Sequence, residues 1–108
     1  MKLIDFTKGW LVGNFVPSLY KTEQIEVAIK YYNSGDIELE HYHKVATEFT
    51  IVVKGEVEML NSIYKEGEII IINPMTKNKF KCIKDAILVV IKTPSVIDDK
   101  FLTEGEIK

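Results

Sequence analysis

Residues 35–55 read GDIELEHYHKVATEFTIVVKG and contain both histidines of the chain. His41 and His43 are separated by one residue, so on a β-strand their side chains point to the same face. Alternation also places Ile37 and Leu39 on that face. The histidines therefore continue an apolar stripe, and we expect them to point inward rather than toward bulk water.

A carboxylate follows the histidine pair at a short distance along the chain. Glu48 opens the next predicted strand, and an antiparallel hairpin would bring its side chain beside His41 and His43. Two imidazoles and one carboxylate form a ligand set typical of first-row transition metals. Two inward histidines can also be core residues bonded to backbone carbonyls, and this alternative remains open on spacing alone.

The spacing Gly35-x5-His41-x-His43-x4-Glu48-x6-Gly55 resembles the first motif of the cupin superfamily, with every fixed position filled. The resemblance implies an all-β protein with a single cupin-type antiparallel jelly-roll β-barrel. It also implies that His41, His43 and Glu48 ligate iron, manganese, nickel or zinc. Cupins commonly dimerise, so the resemblance favours a homodimer.

The resemblance divides the chain into three parts. The barrel core is expected at 25–93, after an N-terminal covering segment at 1–24 and before a C-terminal tail at 94–108. The second cupin motif, which falls inside the core, keeps its glycine and proline but lacks the histidine that is usually the fourth ligand.

Two residues compete for the place of that fourth ligand. Strict counting from Pro74 gives Lys79, whereas alternation puts Asn78, Phe80 and Cys82 on the inward face and leaves Lys79 in solvent. Because burial of an unpaired lysine is costly, we expect Asn78 near the site, with Phe80 and Cys82 further along the same face. The outcome is either a three-ligand site with open positions or a relic site without metal.

Composition restricts the class of protein. The chain has 108 residues, 46% of them hydrophobic and 28% charged, as in a single soluble globular domain. Its 14 basic and 16 acidic residues give no basic field for a nucleic acid. A single cysteine cannot form an internal disulfide, and we find no leader or apolar run of membrane-spanning length. We therefore expect a cytoplasmic protein that binds neither nucleic acid nor membrane.

Turn residues recur about every ten positions, as in an all-β sandwich or barrel. Two of the predicted turns lie at Lys54-Gly55 and Lys84-Asp85, and a solvated turn is expected at 98–100. Strands are predicted at 25–32, 37–43, 49–53, 56–59, 69–72, 79–83 and 86–92. The first of these strands carries Lys30, Tyr31 and Tyr32, and the sequence leaves open which of its faces lines a pocket.

The strand after the motif can be oriented in two ways. Periodicity alone buries Phe49, Ile51 and Val53 and leaves Glu48 in solvent. The cupin resemblance requires the opposite, with the apolar face covered by a second sheet, the N-terminal segment or a partner subunit. A second copy of the chain is the simplest cover.

Two classes of function remain. The first is a metal-dependent enzyme that acts on a small polar substrate such as a sugar derivative, a hydroxy acid or a keto acid. Its reaction would be an isomerisation, an epimerisation or an oxidation by dioxygen. A non-catalytic cupin would bind a small ligand, with no metal or with a degenerate site. The two classes differ in their need for a group that transfers protons. The chain has no third histidine, so an enzyme would have to use Glu, Asp, Tyr, Lys or a metal-bound water for this step. We favour metal binding, and catalysis only slightly.

Overall fold

β-Strands make up most of residues 1–103, the part of the chain that the computed structural model describes. Two short 3-10 helices, Leu3–Asp5 and Thr7–Gly9, precede the first strand. The strands are β1 (Trp10–Gly13), β2 (Tyr20–Lys21), β3 (Glu26–Tyr32), β4 (Ile37–Tyr42), β5 (Thr47–Met59), β6 (Ser62–Lys65), β7 (Ile69–Ile72), β8 (Asn78–Thr93) and β9 (Phe101–Leu102). The all-β class predicted from the sequence is confirmed.

The two long strands, β5 and β8, organise the structure. They are antiparallel partners from Thr47 opposite Thr93 to Met59 opposite Phe80. The first half of β8 also pairs with β4, and its second half pairs with β3. Because β8 takes a different second neighbour in each half, it joins β3, β4 and β5 in one continuous sheet.

Two predicted turns are wrong. The backbone runs through Lys54-Gly55 and Lys84-Asp85 as extended strand, and the register between β5 and β8 shifts around them. Gly55 has a φ of +91°, and a Cβ built on it would lie 2.2 Å from the carbonyl oxygen of Asp85. A glycine between two strand segments marks a bulge here, and sequence alone does not distinguish a bulge from a reversal.

Burial settles the orientation of β5. Glu48, Thr50 and Val52 are buried, whereas the side chain of Val53 is 47% exposed. The orientation required by the cupin resemblance is confirmed, and the one from periodicity alone is wrong. The inward faces of the strands form one apolar core, made of Ala28, Val52, Val57, Met59, Ile70, Ile72, Phe80, Cys82, Ala86, Leu88 and Val90.

Strict alternation along β4 is also wrong. Ile37 and Leu39 are 66% and 62% exposed, so the predicted apolar stripe does not lead to the histidines. The register with β8 shifts between Glu38, opposite Phe80, and His41, opposite Asn78. This irregularity turns Glu38 inward before the histidines.

The segments on either side of the barrel core both contact it. At the N-terminus, Leu3 and Phe6 border a cleft beside Ile29 of β3. At the C-terminus, β9 pairs with β4, so part of the predicted tail belongs to the sheet. The final part of the predicted tail, 104–108, lies outside the described residues. Within 1–103, no helix is long and apolar enough to span a membrane.

Candidate functional site

A cavity of about 410 Å³ opens between the inward faces of the strands, above the apolar core. Volumes of this size are typical of small-molecule sites. One wall carries His41, His43 and Glu48, which the sequence singled out. The remaining lining residues are Lys8, Trp10, Lys30, Tyr32, Glu38, Thr50, Met59, Asn78, Phe80, Leu88, Val90, Lys92 and Lys100.

The two histidines are buried side by side at this wall. Their exposed fractions are 7% for His41 and 5% for His43, and their ring centroids lie 5.3 Å apart. Nδ1 of His41 is 3.0 Å from the carbonyl oxygen of Leu39. A carbonyl only accepts, so Nδ1 is the donor of this hydrogen bond. The same backbone contact commonly orients metal-bound histidines.

Glu48 is the third member of this wall. Its side chain is 7% exposed, and the hydroxyl of Thr50 donates a hydrogen bond of 2.7 Å to Oε2. Thr50 itself is fully buried on the same face of β5. The hydroxyl satisfies one carboxylate oxygen and restricts the rotation of the group.

Lys92 also contacts this wall, which neither the motif spacing nor strand alternation predicted. It lies opposite Glu26 on β3 and Glu48 on β5. Its Nζ is 3.3 Å from Nε2 of His43 and 3.6 Å from Oε1 of Glu26. Burial, followed by the positive charge of Lys92, lowers the pKa of His43 to about 4. His43 is therefore neutral at pH 7 and accepts a hydrogen bond from the ammonium group.

Solved structures share this architecture. An uncharacterized conserved protein with a double-stranded β-helix domain from Klebsiella pneumoniae superposes with a TM-score of 0.70 and 21% identity, over 77% of this chain and 73% of that one. An RmlC-like cupin from Shewanella frigidimarina gives a TM-score of 0.65 and 18% identity, over 70% and 71% of the two chains. This chain has the cupin fold.

A protein with stated metal centres is among the similar structures. Oxalate decarboxylase from Bacillus subtilis, described with Mn(II) centres, superposes with a TM-score of 0.66 and 13% identity. The match covers 75% of this chain but only 24% of the decarboxylase. No family model and no curated protein sequence matches this chain.

The donor atoms of these cavity residues suit a transition metal, but their present arrangement does not. His41, His43 and Glu48 supply the expected donors, and His41 and Glu48 are each held by a second group. Within residues 1–103, however, no three His, Cys, Asp or Glu side chains are grouped closely enough to hold an ion. Lys92 lies where His43 would face a metal, so it would have to leave first.

The other predicted site residues divide into two groups. Asn78 and Phe80 line the cavity, and Asn78 lies opposite His41 in the sheet. The side-chain oxygen Oδ1 of Asn78 accepts a hydrogen bond of 3.0 Å from the backbone amide of Leu60. Cys82 is fully buried in the core, away from the cavity lining, and burial raises the pKa of its thiol. Lys79 is exposed, as alternation predicted.

Three further polar groups face the cavity from β3 and β4. Lys30 and Tyr32 line it, while Tyr31 is 68% exposed on the other face of β3, which answers the question left open by the sequence. The Tyr32 hydroxyl donates a hydrogen bond to Glu38, and burial together with this bond raises the pKa of Tyr32. Burial lowers the pKa of Lys30 to about 8.

Asp99 supports the chain segment between the histidines and Glu48, and it is buried although its neighbours Asp98 and Lys100 are exposed as predicted. It is 7% exposed. Its carboxylate accepts hydrogen bonds from the backbone amides of Lys44, Val45 and Ala46, at 2.9 to 3.2 Å. These residues form the connection between the two histidines and Glu48. Asp99 therefore holds that connection in place, which its acidic neighbourhood in the sequence did not indicate.

Proposed function

We propose that this cupin binds a small polar metabolite in its cavity and holds a divalent transition metal with His41, His43 and Glu48. The main support is that two buried imidazoles and a buried carboxylate line the same cavity. The Leu39 carbonyl and the Thr50 hydroxyl orient two of these groups. Iron, manganese, nickel and zinc all accept such donors.

The reaction class follows from what else faces the cavity. A bound metal would polarise an oxygen of the substrate. Lys30, with a pKa of about 8, exchanges protons near neutral pH, and the pair formed by Tyr32 and Glu38 offers a second proton site. These groups suit an isomerase or epimerase acting on a sugar derivative, hydroxy acid or keto acid better than the sequence alone suggested. A dioxygenase is the other metal-dependent possibility.

The metal proposal is tested by elemental mass spectrometry on protein purified without chelator. We expect near-stoichiometric metal in the wild type and its loss in His41→Ala, His43→Ala and Glu48→Gln, with the circular dichroism spectrum unchanged. Glu66→Gln, at an exposed carboxylate outside the cavity, is the control and should retain the metal. Global unfolding of the three site variants would instead make these residues part of the core.

A metal-free binding cupin is the second candidate, and the contact between Lys92 and His43 favours it. The two candidates differ in the effect of Lys92→Met. If His43 binds either the ammonium or a metal, this variant should retain metal more tightly than the wild type. If the site is metal-free, neither protein binds metal after reconstitution.

We also propose that the protein is a homodimer. The outward face of β5 and β7 is apolar and carries Phe49, Ile51, Val53, Ile69 and Ile71, of which the last two are 61% and 57% exposed. Monomeric proteins rarely expose large contiguous apolar patches. A second copy would cover this face by a twofold contact. The single buried cysteine suits the reducing cytoplasm as its location.

A further inference from the structure

The charge of the cavity is opposite to that of the whole chain. The protein has a formal net charge of −2. The cavity lining, in contrast, contains four lysines, namely Lys8, Lys30, Lys92 and Lys100, and only two carboxylates. Both carboxylates are already engaged by hydroxyl groups, Glu38 by Tyr32 and Glu48 by Thr50. The positive charge is therefore concentrated where a ligand would bind.

Two of these lysines converge on one aromatic ring. The Nζ atoms of Lys30 and Lys92 lie 5.0 Å and 4.8 Å from the centroid of the Trp10 ring. Both side chains are partly buried, whereas Lys8 and Lys100 are exposed at the mouth. Trp10 is thus an apolar ring in the cavity lining with two ammonium groups close to it, one from β3 and one from β8.

Both ammonium groups have hydrogen-bonding capacity left. Lys30 donates to the carbonyl oxygen of Lys8 at 2.6 Å and forms no ion pair within residues 1–103. Lys92 contacts Glu26 and His43. Each ammonium has three donors, so at least one on each is free for a ligand. The closeness of the other lysines also lowers the pKa of Lys30, which an added anion would relieve.

We propose that the cavity takes a small organic anion, bearing a carboxylate or a phosphate, whose acidic group lies between Lys30 and Lys92 close to Trp10. This inference deepens the proposed function, because it names the substrate class of the same cavity, but it does not require the metal. The exposed Lys8 and Lys100 would attract the anion to the mouth.

The experiment uses Trp10, the single tryptophan of the chain, as the reporter. Metal-free protein is titrated at constant ionic strength with glucuronate, glucose 6-phosphate and glucose, while tryptophan fluorescence is recorded. We expect a saturable change with at least one of the two anions and none with glucose. The anion that binds identifies the preferred acidic group. No fluorescence change with either anion, or binding of glucose as tight as that of the anions, would overturn the inference.

Variants assign the effect to the two lysines. Lys30→Met and Lys92→Met should each weaken anion binding roughly tenfold or more, since each removes a charged hydrogen-bond donor. Lys79→Met, at an exposed lysine outside the cavity, should leave it unchanged. Lys30→Met keeps the test valid if Lys92→Met fails to fold. Equal losses in all three variants would contradict a specific site.

A second measurement does not depend on the choice of ligand. Iodide should quench Trp10 several-fold more strongly than caesium, and Lys30→Met should reduce this difference. Equal quenching by the two ions would contradict a positive cavity. Because these experiments use metal-free protein, failure of metal binding and failure of anion binding are separate results.

Discussion

Replacing Asp99 tests whether the connection between the histidines and Glu48 depends on one buried carboxylate. We predict that Asp99→Asn destabilises the protein by about 1–2 kcal/mol, because the amide oxygen still accepts hydrogen bonds but the charge is lost. Asp99→Ala leaves the amides of Lys44, Val45 and Ala46 without their acceptor and should cost about 3 kcal/mol. Urea unfolding followed by tryptophan fluorescence measures both values.

The stability contributed by the Asp99 carboxylate should depend on pH in a defined direction. Burial raises the pKa of Asp99, but the three amide bonds lower it more, so the folded-state pKa lies below the ordinary value. A carboxylate with a lowered pKa contributes stability that is fully present above the unfolded-state pKa of about 4 and is lost as pH falls through the folded pKa. The stability difference between wild type and Asp99→Asn should therefore be constant from pH 8 to pH 5 and shrink below pH 4.

Asp98 supplies the matched control. It is exposed, with a φ of +60° that asparagine tolerates well, so Asp98→Asn should change stability by less than about 0.5 kcal/mol. A stability change for Asp99→Asn that is as small as that of Asp98→Asn would refute the proposed role of the carboxylate. A loss of stability that does not depend on pH would refute it as well.

Three further predictions follow from the fold and the site. Gly55→Ala should cost at least about 2 kcal/mol, because its Cβ would meet Asp85, whereas Gly35→Ala, at a similar φ of +94° but in open space, should cost about 1 kcal/mol; thermal unfolding compares them. Asn78→His should tighten metal binding by adding a fourth donor, as measured by metal titration. It should also lower stability by about 1 kcal/mol in urea unfolding, because the Leu60 amide loses its acceptor. Unchanged metal affinity would place residue 78 away from the metal. Sedimentation should give about twice the monomer mass of 12.4 kDa, and Ile69→Lys with Ile71→Lys should shift the protein to monomer; a wild-type monomer at micromolar concentration would rule out the dimer.

The sequence predicted the fold because its decisive features are local. The spacing of the histidines and Glu48 needs only strand alternation across a short connection, and the orientation of β5 followed once that motif was recognised. The bulge at Gly55 escaped prediction because glycine permits both a turn and an irregular strand. For the same reason β5 was divided into two strands, whereas β8 was divided because the polar pair Lys84-Asp85 interrupts its apolar residues.

The cavity was predictable only in part, because much of it comes from distant strands. Lys92 reaches His43 from a residue 49 positions away. Asp99 reaches Ala46 from 53 positions away, and neither contact leaves a periodic signal. Glu38 faces inward only because β4 changes register before His41, which single-sequence alternation does not show.

The central claim is tested most directly by anomalous X-ray diffraction from crystals of metal-reconstituted protein. We predict one strong anomalous peak within bonding distance of His41, His43 and Glu48. The Lys92 ammonium should have moved away from His43. A map without a peak beside these three residues, with Lys92 still hydrogen-bonded to His43, would contradict the metal site. The remaining candidate would then be a metal-free protein that binds a small ligand.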